Sequence, residues 1–195
     1  MQRGVRELRI IGGALRGRKW SFADVPGLRP TADRVRETLF NWLAPHIRGM
    51  RVLDLFAGSG ALAFEALSRG AASAVLVEMD RAACTGLRAT AERFGLTAAR
   101  VEGGEALAFL KSQPAAAYDL VFLDPPFGAG LLEPALQDIA ERGVLAPAGF
   151  CYLEQPARAA LPTLPAGWTV HRSGKAGEVG YHLLHATPRD LPRNL

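Results

Sequence analysis

The chain has 195 residues, enough for one well-packed domain and few for two. Its 49% hydrophobic and 22% charged residues exclude intrinsic disorder, and no apolar run approaches the roughly 18 residues of a membrane span. The net charge of +4 is unevenly placed: residues 1–51 carry net +7, residues 52–154 net −6 and residues 155–195 net +3, so an acidic middle lies between basic ends and an anionic partner, nucleic acid first, is indicated.

The N-terminus, MQRGVRELRIIGG, has no apolar stretch followed by a cleavage signal, which predicts a cytoplasmic protein. RELRIIGGALRGRKW reads as two short strands around Gly12-Gly13, a hairpin. A Pro/Gly-rich connection follows, Pro26-Gly27-Leu28-Arg29-Pro30. Thr31 is then placed to cap a helix with Asp33 in its first turn, and Val35, Leu39, Trp42 and Leu43 share one helical face. Residues 1–47 read as a basic extension packed on the core, residues 48–187 as the main domain and residues 188–195 as a tail.

From Met50 strands and helices alternate. Strands are predicted at 51–56, 73–78, 98–102 and 118–124, with helices at 60–69, 81–94, 105–111 and 131–142. Val75-Leu76-Val77 and Leu120-Val121-Phe122-Leu123 are continuously apolar, as strands covered on both faces are. The fold class is therefore α/β, a mostly parallel doubly wound sheet. GFCYLEQ adds a fifth strand, and WTVHRSGKAGEVGYHLLHA reads as a C-terminal antiparallel hairpin turning near Ala176-Gly177.

The segment from Val52 to Ala63 is a strand, a glycine loop and a helix start; Gly58, Gly60 and Ala63 fit the dinucleotide fingerprint with alanine last. Glycines allow the sharp turn and let the backbone approach a ligand closely. Glu78 ends the second strand, where a carboxylate can accept from both ribose hydroxyls. Asp54, just before the loop, would meet the pyrophosphate of NAD unfavourably. It complements the ammonium and sulfonium of S-adenosylmethionine instead. Glu105 can accept from the adenine amino group, and the Ala106 amide is the neighbouring donor.

Asp124-Pro125-Pro126-Phe127 follows the fourth strand. The prolines fix φ near about −65° and remove two backbone donors, leaving a rigid run of acceptors beside an aromatic ring. That suits an exocyclic amine, whose lone pair is delocalised into the base. Acceptors that hold its hydrogens stabilise the charge developing as methyl transfers. Phe127 can stack on a base drawn out of its helix. The tetrapeptide by itself does not separate guanine from adenine, in RNA or DNA, and a non-catalytic RNA-binding assembly factor on the same scaffold stays open.

DLFAGSGALAFEALSRGA, Glu78 and DPPF together resemble a class I, Rossmann-like S-adenosylmethionine-dependent methyltransferase acting on amino groups. More narrowly, RIIGGALRGRKW, GLRPTADRVRETLFNWL and KAGEVGYHLL resemble the bacterial 16S rRNA guanine-N2 methyltransferase family, RsmD. The resemblance runs from near residue 9 to near residue 185. It implies methyl transfer to one guanine of 16S rRNA, within an assembled or assembling small subunit, with S-adenosylhomocysteine as product and no metal; a monomer is expected. It implies that Thr31, Asp54, Gly58, Gly60 and Glu78 bind the cofactor, with Arg29-Pro30-Thr31 near its methionine end, and that Asp124, Pro125 and Phe127 hold the amine. Where that family carries Asn/Asp-type residues after the third strand, this chain has Gly103-Gly104-Glu105. Arg16, Arg18, Lys19, Arg29, Arg34 and Arg36, with Lys175 and Tyr181 of the last hairpin, are the expected RNA contacts. His182 and His185 would face opposite sides of a strand, so no metal is expected there. Cys84 and Cys151 are expected as reduced core thiols.

Overall fold

The computed structural model describes residues 5–23 and 31–187. The Pro/Gly-rich connection, including Arg29, and the expected tail lie outside the described residues. β1 (Val5–Arg9) and β2 (Lys19–Ala23) pair antiparallel as a two-stranded sheet, with Arg9 opposite Lys19. Gly13 in the connection is at φ 78, and a Cβ there would run into the Ser68 carbonyl, so only glycine lets this turn settle against the core.

α1 (Asp33–Leu43) begins later than Thr31 would have it. Its N-cap is Ala32, whose methyl cannot cap, and the Thr31 hydroxyl is directed at Asp124 instead. The remaining elements are β3 (Arg51–Asp54), α2 (Ala61–Ser68), β4 (Ser73–Glu78), α3 (Arg81–Phe94), β5 (Ala99–Gly103), α4 (Ala106–Leu110), β6 (Tyr118–Leu123), α5 (Leu132–Glu141), β7 (Leu145–Pro156), β8 (Trp168–Ala176) and β9 (Val179–Ala186). α3 shows local sequence chemistry at both ends. Asp80 Oδ1 accepts from the Ala83 amide at 2.8 Å, and Gly95 closes the helix at φ 66.

The large sheet has seven strands in the order β5-β4-β3-β6-β7-β9-β8. β3 to β7 are parallel, and β9 runs antiparallel to both neighbours, so the expected doubly wound sheet with a terminal hairpin is present. β7 starts earlier than GFCYLEQ: Leu145 pairs with Tyr118, then the register shifts so that Leu120 faces Phe150, with Ala148 at φ 60 in the irregular stretch. One core, under α1, α2 and the N-terminal hairpin, contains Ile10, Trp20, Leu39, Phe40, Phe64, Phe122 and Tyr152. The second, under α5, contains Leu53, Val121, Leu123, Leu136 and Leu153. The chain leaves β3 for β4 and β5 on one side and returns to β6 on the other. The crevice of a doubly wound sheet therefore opens at the carboxyl ends of β3 and β6.

Candidate active site

Asp54 ends β3 at that crevice, and the glycine loop carries the chain into α2. The loop is tied from three directions. The Ala57 amide donates to Val77 O at 2.9 Å, the Gly58 amide to Glu78 Oε2 at 2.9 Å, and Trp20 Nε1 of the hairpin to Ser59 O at 2.9 Å. Gly60 is at φ 77, and a Cβ there would lie 2.5 Å from the Phe64 ring and 2.7 Å from Leu87, so a side chain would force the helix start open. Glu78 also accepts from the Asp80 amide at 2.8 Å; its two oxygens thus clamp the ends of both strand-to-helix loops.

The Asp54 carboxylate is 2% exposed, with Oδ2 accepting from the Ala63 amide at 3.3 Å. Burial pushes it up to about 7, the Ala63 amide opposes the rise, and the negative Glu78 and Glu154 add to it. A positive group brought alongside would restore its ionisation. The donor set around the crevice is anionic and suits a cationic ligand such as S-adenosylmethionine. It suits a pyrophosphate badly.

On the neighbouring strand, Asp124 follows β6 directly. It accepts from the Thr31 hydroxyl at 3.3 Å. Burial, then the negative charges of Glu154 and Asp54, raise it well above the ordinary carboxylate range, and Thr31 opposes them. Pro125 is buried and Pro126 exposed; the Pro126 carbonyl accepts from Ala129 in the turn that follows. Phe127 stands 47% exposed, an unusual place for a ring that only packs a core. Glu154, near the end of β7, is buried and accepts from Tyr152 Oη at 2.8 Å.

The family model described as "Conserved hypothetical protein 95" matches residues 8–185. Ribosomal RNA small subunit methyltransferase D of Escherichia coli K12 is 50% identical over 180 residues, spanning 92% of this chain and 90% of the relative. The Haemophilus influenzae protein of the same name is 42% identical over 91% of this chain and 93% of its own length. The chain belongs to this methyltransferase family. Among solved structures, a putative methyltransferase from Escherichia coli superposes with a TM-score of 0.85 at 48% identity, covering 94% of this chain and all of that one.

Within this methyltransferase fold, Asp54, Gly58, Gly60, Glu78, Thr31, Asp124, Pro125 and Phe127 gather along the carboxyl edges of β3, β4 and β6. Glu105 is exposed and stands at the N-cap of α4 with Ala106 next to it, beyond β5. Arg16, Arg18, Lys19, Arg34 and Lys175 are exposed. Lys19 pairs with Glu7 at 2.8 Å, and the Arg18 guanidinium lies 5.8 Å from the Phe94 ring centre. Two expected RNA contacts are corrected. Arg36 is fully buried, 2.6 Å from Asp33 and 3.6 Å from Glu65, so its charge serves the interior rather than a phosphate. Tyr181 is buried with its ring 5.5 Å from Trp42 and packs over Gly174, which leaves it no surface for a nucleotide.

Three residues went unremarked in the sequence. Met79, directly after Glu78, is 73% exposed at the carboxyl end of β4, and its signal was an apolar residue following the acid. Trp20 ties the hairpin to the glycine loop, a contact across 39 positions that no local pattern carries. Glu154 had a local signal: GFCYLEQ carries a carboxylate one residue from its end, as β3 ends in Asp54 and Asp124 directly follows β6.

Proposed function

We propose that the protein transfers a methyl group from S-adenosylmethionine to the exocyclic N2 amine of a guanine in 16S rRNA, acting as a cytoplasmic monomer on the assembled or assembling small subunit. The observation that carries this reading is the placement of Asp54 and Asp124 on adjacent strand ends, Asp54 beside the glycine loop and Asp124 beside an exposed aromatic ring. The names of the relatives support the substrate class.

When bound, S-adenosylmethionine supplies an activated methyl group on a positively charged sulfur. In this reading Glu78 would accept from ribose hydroxyls, Asp54 would face the ligand's positive end, and Glu105 with the Ala106 amide would meet the adenine edge. Met79 offers an apolar surface beside Glu78. On the substrate side, Phe127 stacks on the extruded base and Asp124 accepts a hydrogen from its amine, while the Pro125-Pro126 pair keeps that acceptor from swinging away. These groups are arranged before the reaction, which is what makes such acceptors effective against developing charge. Thr31 steadies Asp124 through its hydroxyl. No described residue has to act as a covalent nucleophile.

The test is to incubate the protein with methyl-labelled S-adenosylmethionine and 16S rRNA from cells lacking the enzyme, naked and within small subunits. Nucleoside mass spectrometry should find N2-methylguanosine. Label only in N6-methyladenosine, or none in either substrate, would overturn the reading.

A further inference from the structure

At the carboxyl edge of the sheet the β8–β9 hairpin turns beside the end of β7. Val179 pairs with Pro156, and the Ala157 amide donates to Glu178 O at 2.8 Å. Side chains alternate along a strand, so Gln155 shares a face with Leu153, and His182 with Leu184. Both leucines belong to the core under α5. The loop that carries Phe127 runs into α5 on that same face. β9 is two strands from β6, about 10 Å across the sheet. Here lies a groove of about 380 Å³, within the ~300–1,000 Å³ of small-ligand sites, and no step of the reaction proposed above uses it.

The floor of the groove is polar and in part unpartnered. Gln155 lines it at 5% exposure. Its Nε2 donates to Ala159 O at 3.3 Å, and its Oε1 has no hydrogen-bond partner among the described residues. Ser173 Oγ and His182 Nδ1 lie 2.8 Å apart, which fixes the imidazole; Nε2 is then on the Gly180 side, 3.7 Å from where a Cβ there would stand. Burial lowers His182, so the ring is neutral and Nε2 donates or accepts according to its tautomer. Ala159 and Gly180 leave room between these groups, and Leu161, 36% exposed, supplies an apolar wall. Gln137 Nε2 donates to Thr163 O at 3.3 Å and so ties the segment behind that wall to α5. Lys175 lines the groove and is exposed.

We propose that this groove seats a nucleotide flanking the target guanine, with its base edge on Gln155 Oε1 and His182 Nε2 and its ring against Leu161. The inference rests on the methyl-transfer reading and gives the same RNA strand a second contact. Drawing a guanine out of its helix leaves the neighbouring base unstacked, and a seat for that base offsets part of the cost. Bases splayed from a single strand are read on their edges, which carry N–H donors beside ring or carbonyl acceptors. An amide oxygen and a neutral imidazole answer that pattern. The amide oxygen repels a bare phosphate or carboxylate, so the inner end of the ligand is the base. Lys175 supplies positive charge for the phosphate that accompanies it. Phe127 and the groove then hold two nucleotides of one strand on either side of the end of β7.

The experiment compares wild type, Ala159→Trp and Gln155→Leu in full-length protein. Ala159 is exposed, and a tryptophan there fills the groove; Gln155→Leu keeps the size and removes the acceptor. The substrate is unmethylated 16S rRNA in the form that wild type methylates, naked or within small subunits. It is used intact, or ligated so as to lack the base at one or the other position flanking the guanine that wild type labels. Single-turnover methylation is measured against RNA concentration, with S-adenosylmethionine affinity by calorimetry. At low RNA concentration wild type should slow about tenfold on one of the two abasic RNAs, the scale of one lost base contact. Each variant should slow as much on intact RNA and no further on that abasic RNA. Plateau rates and cofactor affinity should stay within about twofold. If Gln155→Leu fails to fold, Ala159→Trp decides the matter. Wild-type rates in Ala159→Trp, no loss on either abasic RNA, or losses that multiply would each overturn the proposal. So would losses confined to the plateau rate or to cofactor affinity, which would make the groove a structural part of the fold. Any of these beside normal guanine labelling by wild type defeats this inference alone; wild type that methylates no rRNA defeats the methyl-transfer reading and this inference with it.

Discussion

At Asp54 a buried carboxylate is lifted from 3.8 to about 7, chiefly by burial. Its folded-state value lies above its unfolded one, so the folded protein binds more protons between those limits. The free protein accordingly loses stability as pH rises from about 4 through 7. A cationic ligand reverses that cost by favouring the ionised form, so S-adenosylmethionine binding near neutral pH should release a proton, read by calorimetry in buffers of different ionisation heat. Asp54→Asn should bind the cofactor at least about tenfold more weakly while melting higher at pH 7.5, about 2–4 °C per kcal/mol recovered. A variant that melts lower and binds normally would contradict this role. At Asp124 the expectation differs, because the proposed function sets that residue against the amine rather than the cofactor. Asp124→Ala should cut single-turnover methylation by roughly 10²–10³, as loss of one preorganised hydrogen-bond partner does, and leave calorimetric cofactor affinity nearly unchanged.

Among the elements, the β1–β2 hairpin is held to α2 by two buried residues, Glu65 and Ser68; Ser68 Oγ accepts from the Leu15 amide at 2.9 Å and donates to Gly12 O at 2.6 Å. Glu65 Oε2 accepts from the Ile11 amide at 2.9 Å and Oε1 from the Gly12 amide at 2.8 Å, while Arg69 approaches Oε1 at 2.8 Å and Arg36 approaches Oε2 at 3.6 Å. Two backbone donors and two guanidinium groups thus depend on one carboxylate. Glu65→Ala would leave buried Arg36 with half-exposed Asp33 and the Arg9 carbonyl as partners, at a cost of about 3–5 kcal/mol, to be read as a lower denaturant midpoint. The hairpin surface is a separate matter. Arg16, Arg18 and Lys19 are exposed, so replacing all three with Ala should leave the midpoint within the small range of surface substitutions. If they follow phosphates, the log–log salt slope of rRNA binding should flatten by about 0.7–0.9 for each phosphate no longer neutralised. Identical slopes in a filter-binding titration would mean that the hairpin is a structural strap and the RNA is held elsewhere.

Over the whole molecule, the acidic middle of the sequence supplies the crevice at the centre of the sheet, while the basic N-terminal segment supplies the hairpin and α1 that close over one face. A ligand bound there as proposed would touch loops after β3, β4 and β6, and these are tied through Ser59 to the hairpin. Binding should therefore stabilise the fold as one unit. At cofactor concentrations a hundred times Kd the gain is about 2.7 kcal/mol, which for a domain of this size raises the melting temperature by roughly 5–10 °C. S-adenosylmethionine should give that shift and NAD should not; an equal response to NAD would undo the electrostatic argument from Asp54.

The alternation of strands and helices, the glycine loop and the Asp-Pro-Pro-Phe turn were legible in the sequence because each is local. Their signals are hydrophobic period, backbone conformation and ring constraint within a dozen residues. The end of β7 was half legible: GFCYLEQ shows a strand ending in a carboxylate, but its place beside Asp124 depends on the β6–β7 register, which an irregular stretch at Ala146–Gly149 resets. Arg36 and Tyr181 were misread for a related reason. Arginine and tyrosine each have an apolar body and a polar tip, so they serve equally well as surface contacts or as partners in an interior, and nothing in their neighbours' identities decides which. For Arg36 the decision came from Glu65 on α2, 29 positions away in sequence; for Tyr181 it came from Trp42 on α1. Thr31 likewise looks like a helix cap until β6 brings Asp124 within 3.3 Å of its hydroxyl. The sequence by itself determined the kinds of element and the chemistry of the loops, because these follow from neighbouring residues. Only the tertiary structure decided which charges are solvated and which are shared, because that depends on burial and on partners from distant strands.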